Sequence, residues 1–108
     1  MKFDTSLALT VAETFKTPTY LYFADKILAN LNRYQEAFGD YPHEVCYAVK
    51  ANSNLSILQL LAEAGAGFDI VSLGELKRVL AVGGRPEKIV FSGVGKSFTD
   101  LTEALKVG

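Results

Sequence analysis

Three polar residues close or interrupt apolar runs in this 108-residue chain. Lys50 follows Val45-Cys46-Tyr47-Ala48-Val49, Asp69 lies within Phe68-Asp69-Ile70-Val71-Ser72, and Ser92 follows Ile89-Val90-Phe91. Lys50 has the most specific chemistry. Read as a strand, its run alternates between faces, with Val45, Tyr47 and Val49 on one side and Cys46, Ala48 and Lys50 on the other. The lysine's face is therefore lined by small residues. An ammonium at the end of a buried strand needs an anion or must shed its proton, because desolvation disfavours the charged form. A neutral lysine is a nucleophile whose natural partner is a carbonyl. The commoner fate of a lysine is to lay its stem on apolar surface with its head in water, and spacing alone does not separate the two.

Asp69 alternates with Phe68 and Ile70 and so faces away from them. A carboxylate on the inner side of a buried strand is costly unless paired; Lys50, or a ligand that the lysine holds, is the obvious partner. Ser72-Leu73-Gly74-Glu75 fits a capping box, which accounts for Glu75 structurally. Gly93-Val94-Gly95-Lys96-Ser97 invites a phosphate-loop reading, but the pattern requires glycine at position 90, which is Val90. Nucleotide binding is rejected on that count. His43 and Cys46 have no further His or Cys at ligand spacing, so no metal site is expected.

The elements that must position these residues follow from period and punctuation. Residues 1–16 show no clean period. Thr19 to Phe23, opened by Pro18, reads as a short strand. Asp25 can cap a helix with Ile27, Leu31, Tyr34 and Phe38 at helical spacing and Gly39 as its stop. After the Asp40-Tyr41-Pro42 turn a unit repeats. Strand Val45 to Lys50 precedes a helix from about Leu55 to Ala64, capped by Ser53 or Asn54 and stopped by Gly65. Strand Phe68 to Ser72 precedes a helix from Gly74 to Val82, and strand Lys88 to Ser92 precedes one from Thr99 to Val107. The alternation indicates an α/β chain with parallel strands and right-handed helical crossovers. A Rossmann-like open sheet and a barrel both satisfy it.

Tyr47-Ala48-Val49-Lys50-Ala51-Asn52 resembles the cofactor-lysine motif of the alanine-racemase-like, barrel-type enzymes that use pyridoxal 5'-phosphate (PLP). Within that superfamily the chain is most similar to the diaminopimelate decarboxylase family. The likeness runs in order through Thr17-Pro18-Thr19-Tyr20-Leu21-Tyr22, Gly67-Phe68-Asp69-Ile70-Val71-Ser72, Gly74-Glu75-Leu76 and Ile89-Val90-Phe91-Ser92-Gly93-Val94-Gly95-Lys96-Ser97. It implies the N-terminal part of a TIM-type (β/α)8 barrel, about three βα units preceded by a strand and a helix. Such a barrel takes about 250 residues, so residues 24–108 would be its incomplete opening. Residues 1–23, with their strand, would contribute to a second, β domain of a parent enzyme.

The resemblance also implies roles. Lys50 would hold PLP as a Schiff base and, once released by substrate, move protons. Ala48 would border the cofactor, Asp69 would lie beside the linkage, and Glu75 matches a glutamate that lies near the site in related decarboxylases. The activity implied is decarboxylation of meso-diaminopimelate to L-lysine, the last step of lysine biosynthesis, by a homodimer. Ornithine, arginine and carboxynorspermidine decarboxylases share the Tyr-Ala-Val-Lys theme; Cys46 before it and the Phe-Ser-Gly-Val-Gly-Lys run favour diaminopimelate. Ser53-Asn54 departs from the Ala-Tyr-Gly of alanine racemases. The family's phosphate-binding glycines, its carboxylate for the pyridine nitrogen and its substrate-specificity residues match nothing here. The isolated 108-residue chain is therefore expected to be inactive, a non-catalytic barrel fragment or a PLP-binding module.

Charge and cysteine content narrow the partners. Eleven basic and twelve acidic residues are interspersed for a net charge of -1, which leaves no electrostatic footprint for nucleic acid or an anionic membrane. A small-molecule amino acid is the expected partner. The single cysteine excludes an internal disulfide framework and fits a reducing cytoplasm. No apolar stretch approaches the roughly 20 residues of a membrane span, and the N-terminus is too acidic and interrupted for a signal peptide. A soluble cytoplasmic protein is expected.

Overall fold

The computed structural model of the protein describes residues 4–108. Five α-helices and three strands follow in the order α1 (Thr5–Phe15), α2 (Ala24–Phe38), β1 (Cys46–Ala48), α3 (Leu55–Glu63), β2 (Gly67–Ile70), α4 (Leu73–Ala81), β3 (Ile89–Phe91) and α5 (Phe98–Lys106). Short 3-10 turns at Val49–Ala51 and Pro86–Lys88 complete the described elements.

Local chemistry sets most of these boundaries. The Asn54 side chain accepts from the Ser56 amide and starts α3. Ser72 accepts from the Glu75 amide and starts α4, while Ser97 and Asp100 exchange hydrogen bonds at the head of α5. Each satisfies amides that a helix leaves without an internal partner. Gly39, Gly65 and Gly83, all at positive φ, turn the chain out of α2, α3 and α4. The Asp100 carboxyl is held below its ordinary value of 3.8, first by the Ser97 side chain and then by the Ser97 amide. A depressed folded value means the cap stabilises above the unfolded value and is lost as pH falls through the folded one. Amide protection in the first turn of α5, relative to the intrinsic exchange rate at each pH, is therefore expected to fall on acidification below pH 3.8. Asp100→Asn should abolish that acid step, and an unchanged profile in the variant would contradict the assignment.

The three strands form one parallel sheet in the order β1-β2-β3. Cys46, Tyr47 and Ala48 register with Gly67, Phe68 and Asp69, and Phe68, Asp69 and Ile70 with Ile89, Val90 and Phe91. Registered residues of a parallel ladder point the same way, so the sheet has two distinct faces. One carries Tyr47, Phe68, Ile70, Ile89 and Phe91 into a core with Leu58, Leu61, Leu76 and Val79 from α3 and α4. Phe68, Leu58, Ile70, Val49 and Val79 are fully buried there. The other face carries Cys46, Ala48, Gly67, Asp69 and Val90, and Val90 is 52% exposed. This face is open.

Gly67 is where the strands approach too closely for a side chain. A Cβ there would lie 2.6 Å from the Lys88 carbonyl oxygen and 2.7 Å from Cys46 Sγ. The first of these is backbone and cannot swing aside. Gly67→Ala is expected to cost about 1–3 kcal/mol, read as a lower thermal midpoint; an unchanged midpoint would mean that β3 shifts freely.

Four local expectations need correction. Thr19–Phe23 is not a strand: no described residue pairs with it, and a strand is stable only with a ladder partner. Within 1–16, where no period shows, Thr5–Phe15 is a helix capped by Asp4, whose carboxylate accepts from the Ser6 and Leu7 amides; residues 1–3 lie outside the described residues. The helix buries no residue, so burial imposed no period on its apolar positions. Phe23, with extended backbone, occupies the cap position of α2, and Asp25 sits in the first turn, where a carboxylate still favours the helix dipole. Strand β1 ends at Ala48 and not at Lys50, because the chain turns into Val49–Ala51 to bury Val49.

Candidate active site

Lys50 sits on the 3-10 turn that leaves the carboxyl end of β1. Val49 beside it is fully buried and anchors the turn in the core. The segment that follows is tied down at three points. The Tyr47 hydroxyl donates to the Asn52 carbonyl at 3.2 Å, Arg78 reaches from α4 to the Ser53 carbonyl at 3.2 Å, and the Asn52 side chain accepts from the Asn54 amide at 3.0 Å. Burial pushes the Tyr47 phenol up, against the opposing effect of its Asn52 bond, so it remains a donor at neutral pH. Lys50 itself is exposed, and no described residue accepts a hydrogen bond or ion pair from its amine. The lysine thus has a fixed base and a free head. The burial expected of it is absent because the face beside it is uncovered.

Asp69 is half-buried on the open face, in register with Ala48 on β1 and Val90 on β3. Alternation turns it away from the buried Phe68 and Ile70, as its spacing requires. Its partner is Ser92: the hydroxyl donates to Asp69 Oδ1 at 2.5 Å. Lys50 makes no ion pair with it. The Ser92 amide donates to the Ile70 carbonyl at 2.9 Å and carries the β2-β3 ladder one residue past β3. Sequence reasoning placed Ser92 at a strand end without assigning it a partner; the signal was its position two residues beyond Val90, hence on the same face.

Two further candidates serve local structure. Ser72 spends its hydroxyl on the α4 cap, and the Glu75 carboxylate accepts from the Val71 amide at 2.7 Å, one residue earlier than the expected Ser72 amide. Gly93–Ser97 forms no phosphate cradle. Lys96 donates to the Gly93 carbonyl at 2.6 Å and sits 5.5 Å from the Phe91 ring centre, and the Ser97 amide at the head of α5 donates to the chain's own Asp100 carboxylate. That carboxylate takes the place an anion would need.

Cys46 lies on the open face at the opposite end of β1 from Lys50. Burial, then the charges of Glu44 and Asp69, push its thiol up against the pull of Lys88. The thiolate is the reactive form, so alkylation by iodoacetamide at neutral pH is expected to be slower in the folded chain than after denaturation. Equal rates would contradict that environment.

The arrangement suits a flat carbonyl-bearing ligand. A lysine amine free to form a covalent bond borders a sheet face on which Ala48 leaves room and Asp69 supplies one oriented negative charge. Lys50 and Ser92 lie just past the carboxyl ends of β1 and β3, the end of parallel strands where α/β chains place their ligands.

Residues 24–108 match the family model described as pyridoxal-dependent decarboxylase, pyridoxal binding domain. The chain belongs to that family. Diaminopimelate decarboxylase of Pseudomonas aeruginosa is 59% identical over 98 residues, covering 91% of this chain and 24% of the relative. The crystal structure of diaminopimelate decarboxylase from Helicobacter pylori complexed with L-lysine superposes with a TM-score of 0.80 at 50% identity, over 88% of this chain and 25% of that one. The crystal structure of diaminopimelate decarboxylase from m. jannaschii in co-complex with L-lysine gives a TM-score of 0.89 at 39% identity over 93% of this chain and 24% of that one. The chain therefore spans about a quarter of the length of the relatives it matches. Among pyridoxal-dependent decarboxylases these parallel βα units are the opening of a TIM-type barrel, which decides against the Rossmann-like alternative.

Proposed function

We propose that the protein bearing these residues is a PLP-dependent diaminopimelate decarboxylase that converts meso-diaminopimelate to L-lysine and carbon dioxide. The observation that carries this is the free amine of Lys50 on its anchored turn, beside Ala48 and Asp69, in a chain 59% identical over 98 residues to a relative of that name. L-lysine, the product of the proposed reaction, accompanies three of the similar solved structures.

Lys50 is the residue that would hold PLP covalently through Nζ. The chemistry the cofactor supplies when bound is an electron sink for the pair left on the α-carbon as carbon dioxide departs. Once displaced by the substrate amine, the Lys50 amine is free to move a proton, and its anchored base keeps it within the site. Ala48 would leave the sheet wall low where PLP is held, and Asp69, in register with it on the same face, would supply a carboxylate whose charge favours a protonated nitrogen on Lys50.

The domain organisation is part of the same reading. Residues 24–108 form the opening of the PLP-binding barrel, and the segment before them packs on a second, β domain. Tyr20 and Tyr22 support this: they are exposed and stack at 6.2 Å between ring centres, an aromatic pair with no core of its own. A cytoplasmic location fits the free, half-buried Cys46 thiol, and a homodimer is part of the same reading.

Borohydride reduction after addition of PLP, followed by peptide mapping, tests the assignment. The label is expected on Lys50, and a label on another lysine in a preparation that forms lysine would overturn it. A polypeptide of these 108 residues alone is expected to show no steady lysine formation, because the face beside Lys50 is uncovered; sustained turnover by it would refute that.

A further inference from the structure

Serines at the ends of β2 and β3 do different things. The Ser72 and Ser97 hydroxyls each accept a helix amide, from Glu75 and Asp100. Ser92 caps no helix. Its amide is locked to the Ile70 carbonyl at 2.9 Å, and its hydroxyl turns back over the open face to Asp69 Oδ1. At 2.5 Å the two oxygens are in close hydrogen-bond contact. Asp69 Oδ2 receives no hydrogen bond from any described residue. The neighbours in register, Ala48 and Val90, are apolar and cannot orient it.

We infer that Ser92 is a positioning residue: it fixes the rotamer of Asp69 by engaging Oδ1 and so aims Oδ2 at the lysine-cofactor pair. The inference rests on the assignment of Lys50 and Asp69 to that pair. Its physical content is preorganisation. Without the hydroxyl the carboxylate samples several rotamers, and the cofactor must select one on binding, which weakens binding without unfolding the sheet.

The test uses the full natural polypeptide and reads PLP affinity by fluorescence titration together with the absorbance spectrum of the bound cofactor. Ser92→Ala is expected to weaken PLP binding about tenfold, the order expected for one hydrogen bond to a charged group, and to change the balance of absorbance bands. Ser92→Thr, which keeps the hydroxyl, should restore both. In an Asp69→Ala background Ser92→Ala should add nothing further. Unchanged affinity and spectrum in Ser92→Ala would overturn the inference, as would an equal loss in the Asp69→Ala background, since the hydroxyl would then act without the carboxylate. Should Ser92→Ala fail to fold, Ser92→Cys keeps the size, weakens the donor and carries the same expectations. Borohydride labelling of the unsubstituted protein separates the two failures: a label away from Lys50 sinks the cofactor-lysine assignment, whereas a label on Lys50 with an indifferent Ser92 sinks only the positioning role.

Discussion

Lys50→Ala is expected to abolish borohydride-fixed PLP and to lower lysine formation by at least about 10³-fold, the scale of losing both a covalent anchor and a positioned proton carrier. Stability should hardly change, within about 0.5 kcal/mol, because an exposed side chain without a partner has little to lose. Lys50→Arg should be as inactive as Lys50→Ala. A guanidinium keeps the charge but does not deprotonate in proteins, so it cannot attack a carbonyl. The pair of variants separates charge from nucleophilicity. Activity retained by Lys50→Arg would show that Lys50 serves only as a cation; activity retained by both would remove it from the site.

Phe68→Ala should have the largest effect on folding, about 3–5 kcal/mol by chemical denaturation. Phe68 is fully buried in the central strand, with Tyr47 and Ile89 as register partners on either side. The turn before Pro86 closes over it, since a Cβ on Gly84 would come within 3.4 Å of the Phe68 ring. A domain's whole stability is about 5–15 kcal/mol, so the loss is a large part of it. Phe68 also shares its strand with Asp69, one residue on and facing the other way. Partial refolding around the cavity would therefore disturb the carboxylate, and PLP affinity should fall with stability in this variant. A loss below about 1 kcal/mol would mean that the core is not organised on β2.

Helix boundaries were the most legible part of the chain because their causes are local. Asn54 and Ser72 start the helices that their positions announced, and Gly39 and Gly65 end the helices they were expected to stop; the Ser97 cap of α5 was not read from the sequence. Strand ends were not legible. An apolar run looks the same whether its last residues join the ladder or turn away from it, so Val49 and Lys50 read as strand although the turn takes them out of it. Thr19–Phe23 failed for the same reason: its composition suits a strand, but pairing is a property of two segments. α1 was missed because it buries nothing. At the site, the face of Asp69 could be read from alternation, whereas its partner could not. Ser92 lies 23 residues away, and only the register of Asp69 with Val90 brings its hydroxyl within reach. Lys50 was found by the wording around it; burial played no part.

The strand order has a consequence for synthesis. Each strand pairs with the one made just before it, about twenty residues earlier in the chain. A nascent polypeptide leaving the ribosome therefore never waits for a distant segment to extend its sheet: β1 offers an edge when β2 emerges, and β2 does the same for β3. Short sequence separation between partners keeps the loop-closure cost of each addition small. The first of these steps brings the strand that carries the Asp69 carboxylate against the strand that leads into the lysine-bearing turn, before the strand that leads to Ser92 has docked.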